Sequence, residues 1–312
     1  MALRSLDNAL PATIERPKKV PKIVAPAVKI SSPADVPRGC SVMNDENAAP
    51  PPKAVEQSSE YIASEDLKAL PDPETKIASL LEELESRDWL KVCEGLNDVR
   101  RLALHHYSYL LPILGNVMLV IVKAMKSPRS ALCKTSIMAC TDIFHSFGNI
   151  LLSTSEESAF DQLLLQLLLK ASQDKRFVCE EAEKSLEKMA VSVPPLPLLK
   201  KLQSYVNHSN LRVRAKAAVA ISKCVSKMGI EVIMKDFGLA ALLQVSAELL
   251  NDRLPEAREA ARSIITSIHS GFAQQNELKV GDESSDAESW QNFCSSNLPP
   301  ISAQSVAKIV SQ

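Results

Sequence analysis

Five segments of this 312-residue chain share one helix-start template, and this repeat constrains the fold more than any other feature. Each has a short polar or prolyl turn, then an apolar residue, then an apolar or small residue four positions later. In all but the first segment another such residue follows eight positions later. The segments begin at Asp88, Ser127, Asp174, Asn210 and Leu254. Aligning their apolar residues, Val92, Leu132, Val178, Val213 and Ala257, gives spacings of 40, 46, 35 and 44 residues. One helix of such a unit cannot bury its apolar stripe alone, so neighbouring units must stack into a continuous core.

A period near 40 with two helices per unit is typical of solenoids of the HEAT or armadillo kind. The sequence therefore predicts an all-α, HEAT/armadillo-like solenoid of five to six antiparallel helix pairs with disordered tails. Such folds expose a row of turns along one edge, which favours a binding function.

Proline and charge set the expected domain boundaries. Residues 1–72 contain ten of the nineteen prolines and lack a periodic apolar face, which predicts a disordered, Pro-rich arm. The string Pro71-Asp-Pro-Glu opens the repeat domain, expected over 73–272, because proline and acidic residues favour a first helical turn. Residues 273–312 are expected to be a mostly disordered acidic tail with a possible short terminal helix over 301–310.

Composition excludes several classes of protein. Glycine is scarce, at 8 residues, and aromatics make up 4%, which suits packed helices rather than sheets. The most apolar segment, 110–125, is interrupted by Pro112, Asn116 and Lys123, so no membrane span is expected. Five of the seven cysteines lie on helical apolar stripes and should act as small buried side chains in a reducing compartment: Cys93, Cys133, Cys140, Cys179 and Cys224.

Catalytic and metal-binding motifs are lacking in the sequence. It has no Gly-rich phosphate loop, HExxH, GxSxG or dinucleotide fingerprint, and no Cys/His spacing suited to a metal. We therefore expect neither an enzyme nor a cofactor.

Charge is unevenly distributed although the net charge is only −1. Residues 1–40 carry seven basic and three acidic residues, and residues 200–228 carry seven basic residues and no acid. Local positive charge of this kind indicates an acidic partner.

At the turns within the helix pairs, the sequence resembles one family. The string Ser86-Arg-Asp-Trp-Leu-Lys-Val-Cys resembles the first tubulin-contacting turn of TOG domains, where an exposed Trp follows an acidic residue. Asn210-Leu-Arg-Val-Arg resembles the Asn-x-x-Val-Arg pattern of the fourth turn, and Pro255-Glu-Ala-Arg has the basic residue of the fifth. Over 73–272 the chain most resembles TOG domains of the CLASP and crescerin (TOG array regulator of axonemal microtubules) type. Such domains usually have six helix pairs, of which the sequence places five.

The resemblance implies a protein that binds tubulin or microtubules through its intra-repeat turns and organises the microtubule cytoskeleton in the cytoplasm. Trp89 is the central residue of this hypothesis, and from sequence it could be either an exposed aromatic anchor or a cover for the first helix pair. Recurrence at one template position also places basic residues of successive turns along one edge. The predicted tubulin-binding residues are Trp89, Lys91, Arg129, Lys175, Arg176, Asn210, Arg212, Arg214 and Arg258.

Two other functions remain open from sequence. A generic HEAT/armadillo scaffold or adaptor would bind a non-tubulin protein through its concave helix surface rather than its turns. Nucleic-acid binding through the basic arm and the fourth repeat is disfavoured, because the arm lacks interleaved aromatics for base stacking. A membrane partner is not expected.

Overall fold

A computed structural model describes residues 61–152, 157–280 and 286–310, and every regular element in these ranges is helical. Most of the expected arm, residues 1–60, lies outside the described residues. The α-helices are α1 (Pro73–Leu84), α2 (Trp89–His105), α3 (Tyr107–Leu110), α4 (Leu114–Met125), α5 (Ser130–Phe147), α6 (Glu157–Lys170), α7 (Arg176–Ser192), α8 (Pro195–Gln203), α9 (Leu211–Lys227), α10 (Ile230–Asp236), α11 (Leu239–Leu250), α12 (Pro255–Val280), α13 (Asp286–Asn297) and α14 (Pro300–Val310). The predicted all-α solenoid is confirmed.

Over the described ranges the helices form six successive pairs, each made of a first and a second helix. The second helices of the first five pairs, α2, α5, α7, α9 and α12, pack against one another in chain order. Their buried faces carry Leu96, Ile137 and Val213, none of which has measurable exposure. One continuous apolar core therefore runs through the repeats, as expected for units that cannot bury their apolar stripes alone.

Side-chain caps explain why the second helices begin where the sequence predicts. The carboxylate of Asp88 accepts a hydrogen bond from the Leu90 amide at 3.0 Å, and the Asn210 side-chain oxygen accepts one from the Arg212 amide at 3.0 Å. Each bond satisfies an amide that has no partner within its helix. Asp72 caps α1 in the same way, bonding the Thr75 amide at 3.1 Å.

The first helices of the second and fifth pairs are each divided into two segments. A short 3-10 turn over Leu111–Ile113 separates α3 from α4, because Pro112 has no amide to donate. Gly238 separates α10 from α11, and its φ of 93° is a left-handed conformation that favours glycine. The apolar stretch Tyr107–Met125 is long and apolar enough to cross a membrane by composition alone. Half of it is buried in the solenoid, where α4 packs on α5 and α6.

The carboxyl-terminal end differs from the sequence expectation of a mostly disordered tail. Helix α12 continues to Val280, and over 286–310 the helices α13 and α14 form a sixth pair against α11 and α12. Trp290 is almost completely buried, with ring contacts to Phe272 at 5.6 Å and Phe293 at 5.8 Å between centroids. Aromatic burial stabilises α13, whose polar sequence gives only a weak periodic signal, whereas α14 matches the short terminal helix expected over 301–310.

The segment 61–72, expected to be disordered, is tied to the first two pairs. The fully buried Arg100 of α2 donates from Nη1 to the Ile62 carbonyl at 2.8 Å and from Nε to the carboxylate of Asp142 at 2.7 Å. The Ser64 hydroxyl also donates to that carboxylate, at 2.7 Å. Leu67 is buried, so this strap forms part of the folded domain.

Candidate functional site

The turns between the two helices of each pair lie side by side, and each contacts the next through named atoms. The Arg129 guanidinium lies 5.3 Å from the centroid of the Trp89 ring, and Lys175 Nζ donates to Ser130 Oγ at 3.2 Å. Arg212 Nη1 donates to the Ser172 carbonyl at 3.2 Å, and Arg214 Nε to Asp252 Oδ2 at 2.8 Å. We call this line of five turns, residues 85–91, 126–130, 171–177, 204–214 and 251–258, the turn edge.

Trp89 at the first turn is half-buried. It packs against the apolar core, while its ring is in range for a cation–π interaction with Arg129 from the second turn. The ring is therefore neither a fully exposed anchor nor a sealed core residue. Lys91, two residues after Trp89 on α2, is exposed.

The third turn projects several side chains outward. Lys175 precedes the first residue of α7, and Arg176 begins that helix with its side chain 90% exposed. Arg176 pairs with Glu180 one turn along the same helix at 2.6 Å. Phe177, which sequence reasoning missed, is also exposed. Its signal in the sequence was its place in the shared template, two residues after Lys175.

At the fourth turn, the residues predicted to bind tubulin mainly stabilise the solenoid. Asn210 caps α9, and Arg214 turns inward, donating to the Asp252 carboxylate and to the His208 carbonyl at 2.8 Å. Burial disfavours ionisation of Asp252, but hydrogen bonds from the Leu254 amide and from Arg214 hold its pKa below the ordinary value. Arg212 stays about half exposed and forms an ion pair with Asp174 of the third turn.

Arg258 at the fifth turn also points back into the fold. Its Nη1 donates to the carbonyls of Asp252 and Arg253, both at 2.9 Å. The turn edge thus contains residues that face outward at turns one to three and half outward at turn four. Arg214, in contrast, links the fourth turn to the fifth, and Arg258 stabilises the fifth turn itself.

The basic segment 200–228 is not an open positive patch, contrary to the sequence interpretation. Lys216 bridges Glu183 and Glu256 on the neighbouring second helices, and Lys223 pairs with Glu187. Lys201 pairs with Asp161, and Lys227 Nζ donates to the Val193 carbonyl. Most of these cations are therefore neutralised or hydrogen-bonded within the solenoid. Their acidic partners lie about one repeat away in sequence, so the stretch 200–228 looks purely basic when it is considered alone.

A groove of about 410 Å³ separates α7 from α9 on the face of the second helices. Its walls combine apolar residues, such as Leu186 and Val219, with both signs of charge. No group of His, Cys, Asp or Glu that could hold a metal ion occurs among the described residues. Burial raises the pKa of the Cys224 thiol to about 12, and burial likewise raises that of Cys140, which keeps both thiols protonated.

Within the described residues, these elements define the class of the protein as a HEAT-like helical solenoid of six pairs whose intra-pair turns form one line of contacts. No protein-family model matches the chain. A TOG domain of the C. elegans protein Zyg9 matches it with a TM-score of 0.55 at 18% identity, covering 75% of this chain and 80% of that one. A structure solved for work on TOG–tubulin binding specificity in microtubule dynamics and mitotic spindle formation matches with a TM-score of 0.52 at 12% identity, covering 75% of this chain and 82% of that one. At these identities the two matches show the fold alone.

The sequence comparison finds a relative that is named for its TOG array. The chain is 27% identical over 216 residues to TOG array regulator of axonemal microtubules protein 1 of Mus musculus. The match covers 68% of this chain but only 12% of the length of that relative. The resemblance to TOG-domain proteins of the crescerin type is confirmed.

Proposed function

We propose that this chain binds tubulin or microtubules through the turn edge and takes part in organising the microtubule cytoskeleton of the cytoplasm. The observation that carries the proposal is the line of contacting turns that presents Trp89 together with Lys91, Arg129 and Lys175. Support also comes from the relative that is named a regulator of axonemal microtubules and from the neighbour studied for TOG–tubulin binding. The role is one of binding, not of catalysis.

Charged and aromatic residues of the turn edge contribute to binding in different ways. The exposed cations of the first three turns attract the acidic surface of tubulin over distances near the Debye length, about 8 Å at physiological salt. Once the surfaces meet, the Trp89 ring can lose its remaining contact with water. Aromatic residues are the type most often found as energetic centres of interfaces, whereas charges at the rim act mainly on the association rate.

The test is the affinity of Trp89→Ala for tubulin dimers and for polymerised microtubules, by titration and by co-sedimentation. We expect a loss of about thirtyfold, since removing an aromatic centre costs on the order of 2 kcal/mol. Leu119→Ala is the control for truncating an apolar surface residue, because Leu119 is exposed and lies in the middle of α4, away from the turns.

Because Trp89 also packs on the core, a second variant separates binding from folding. Lys91 is exposed, so Lys91→Glu should weaken binding while leaving the melting temperature at the wild-type value. Unchanged affinity in both Trp89→Ala and Lys91→Glu would contradict the turn edge as the binding surface.

A further inference from the structure

We propose that Phe177 is a second aromatic contact of the turn edge, placed at the third turn and directed at an apolar recess in an acidic protein surface. The inference rests on the proposed function and adds to it a residue that fixes how the partner is oriented. Four observations support it: template position, exposure, neighbouring charge and spacing from Trp89.

The template places Phe177 at a contact position. Aligning Val92, Val178 and Val213 sets Phe177 in register with Lys91 and Arg212, one residue before the buried position. Lys91 and Arg212 are both exposed at their turns. A position that is polar and outward-facing in the first and fourth units therefore holds a phenylalanine in the third.

The exposure of Phe177 is unusual in this chain. All seven phenylalanines lie in the described residues, and the other six are buried or half-buried. Phe177 is 43% exposed, whereas its helical neighbour Val178 is 2% exposed. Since the solenoid covers the ring only in part, a partner could remove further apolar area from water.

Neighbouring charge and spacing indicate the chemistry of that partner. Lys175 and Arg176 precede Phe177 directly and outnumber Asp174, the one acidic residue of the third turn. The ring therefore lies in a turn of net positive charge, which favours an acidic surface. Packed helices lie 8–10 Å apart, so two repeats separate Phe177 from Trp89 by roughly 20 Å. Two apolar contacts at that separation would define the direction of the solenoid on its partner, which one contact cannot do.

The experiment compares the tubulin affinity of full-length Phe177→Ala with that of Val191→Ala. Val191 is the control because it lies near the other end of α7 and is 62% exposed. We expect Phe177→Ala to bind about tenfold more weakly, corresponding to an interface residue whose truncation costs more than 1 kcal/mol. Val191→Ala should bind like wild type, and both variants should melt like wild type because the lost side chains are exposed.

The outcomes separate this inference from the proposed function. Wild-type affinity in Phe177→Ala, with binding lost in Trp89→Ala, would overturn the role of Phe177 and leave the turn edge standing. Equal losses in Phe177→Ala and Val191→Ala would also overturn it, since the effect would not be confined to the edge. Absence of tubulin binding by the wild-type chain would remove both proposals.

Discussion

Arg212 and Arg214 lie two positions apart on α9, yet their side chains have different surroundings. Arg214 is 20% exposed and bonds the nearly buried carboxylate of Asp252, whereas Arg212 is about half exposed beside Asp174. The buried Val213 between them fixes this division, since neighbours on either side of a core position cannot both face the turn edge. From the sequence, one of the two arginines is expected to point inward. Which one does so depends on Asp252, which lies 38 residues from Arg214 and cannot be identified from a local pattern.

The contrast predicts different effects of the two substitutions on stability. Arg214→Ala leaves the Asp252 carboxylate without its charged donor and should lower the free energy of unfolding by about 1.5–3 kcal/mol. Arg212→Ala should leave stability near wild type, because an exposed ion pair contributes little. Chemical unfolding followed by circular dichroism measures both. The reverse order of stabilities would show that the assignment of inward and outward roles is wrong.

At the scale of helices, the sequence predicts the starts of the second helices well and the ends of the domain poorly. Asp88 and Asn210 are local caps that can be read from a few residues. The strap over 61–72 and the pair α13–α14 depend on contacts distant in sequence, such as Arg100 with Ile62 and Trp290 with Phe272. A polar segment with a single buried tryptophan has little apolar periodicity. The burial of this tryptophan therefore cannot be predicted from the segment alone and is shown only by the structure.

The sixth pair predicts that Trp290 is essential to the end of the solenoid. Trp290→Ala should destabilise the protein by about 3–5 kcal/mol, because it removes a large buried ring and leaves a cavity against Phe272 and Phe293. Thermal melting of the full-length variant checks this. Ile301→Ala is the control, since Ile301 lies on α14 but is 82% exposed. Equal melting temperatures for Trp290→Ala and wild type would mean that the pair does not pack as described.

For the whole molecule, the charge of the arm adds to that of the turn edge. Residues 1–40 carry seven basic and three acidic residues, so we expect their deletion to weaken microtubule binding at low salt and to flatten its salt dependence. Deleting 41–60, where acidic residues outnumber basic ones, is the matched control and should not flatten it. Co-sedimentation across a salt series measures both slopes. Equal affinity and slope for wild type and the 1–40 deletion would exclude a role for the arm.

The most direct test of the central claim is hydrogen–deuterium exchange of the full chain with and without tubulin. The first amides of each helix lack intrahelical partners and exchange quickly, so burial of the turn edge should produce a large change in their exchange rates. We predict tubulin-dependent protection over the turns that open α2, α5 and α7, weaker protection at α9, and none along the groove between α7 and α9. Protection confined to that groove, with the turns unchanged, would contradict the account and favour a scaffold that binds through its helix face.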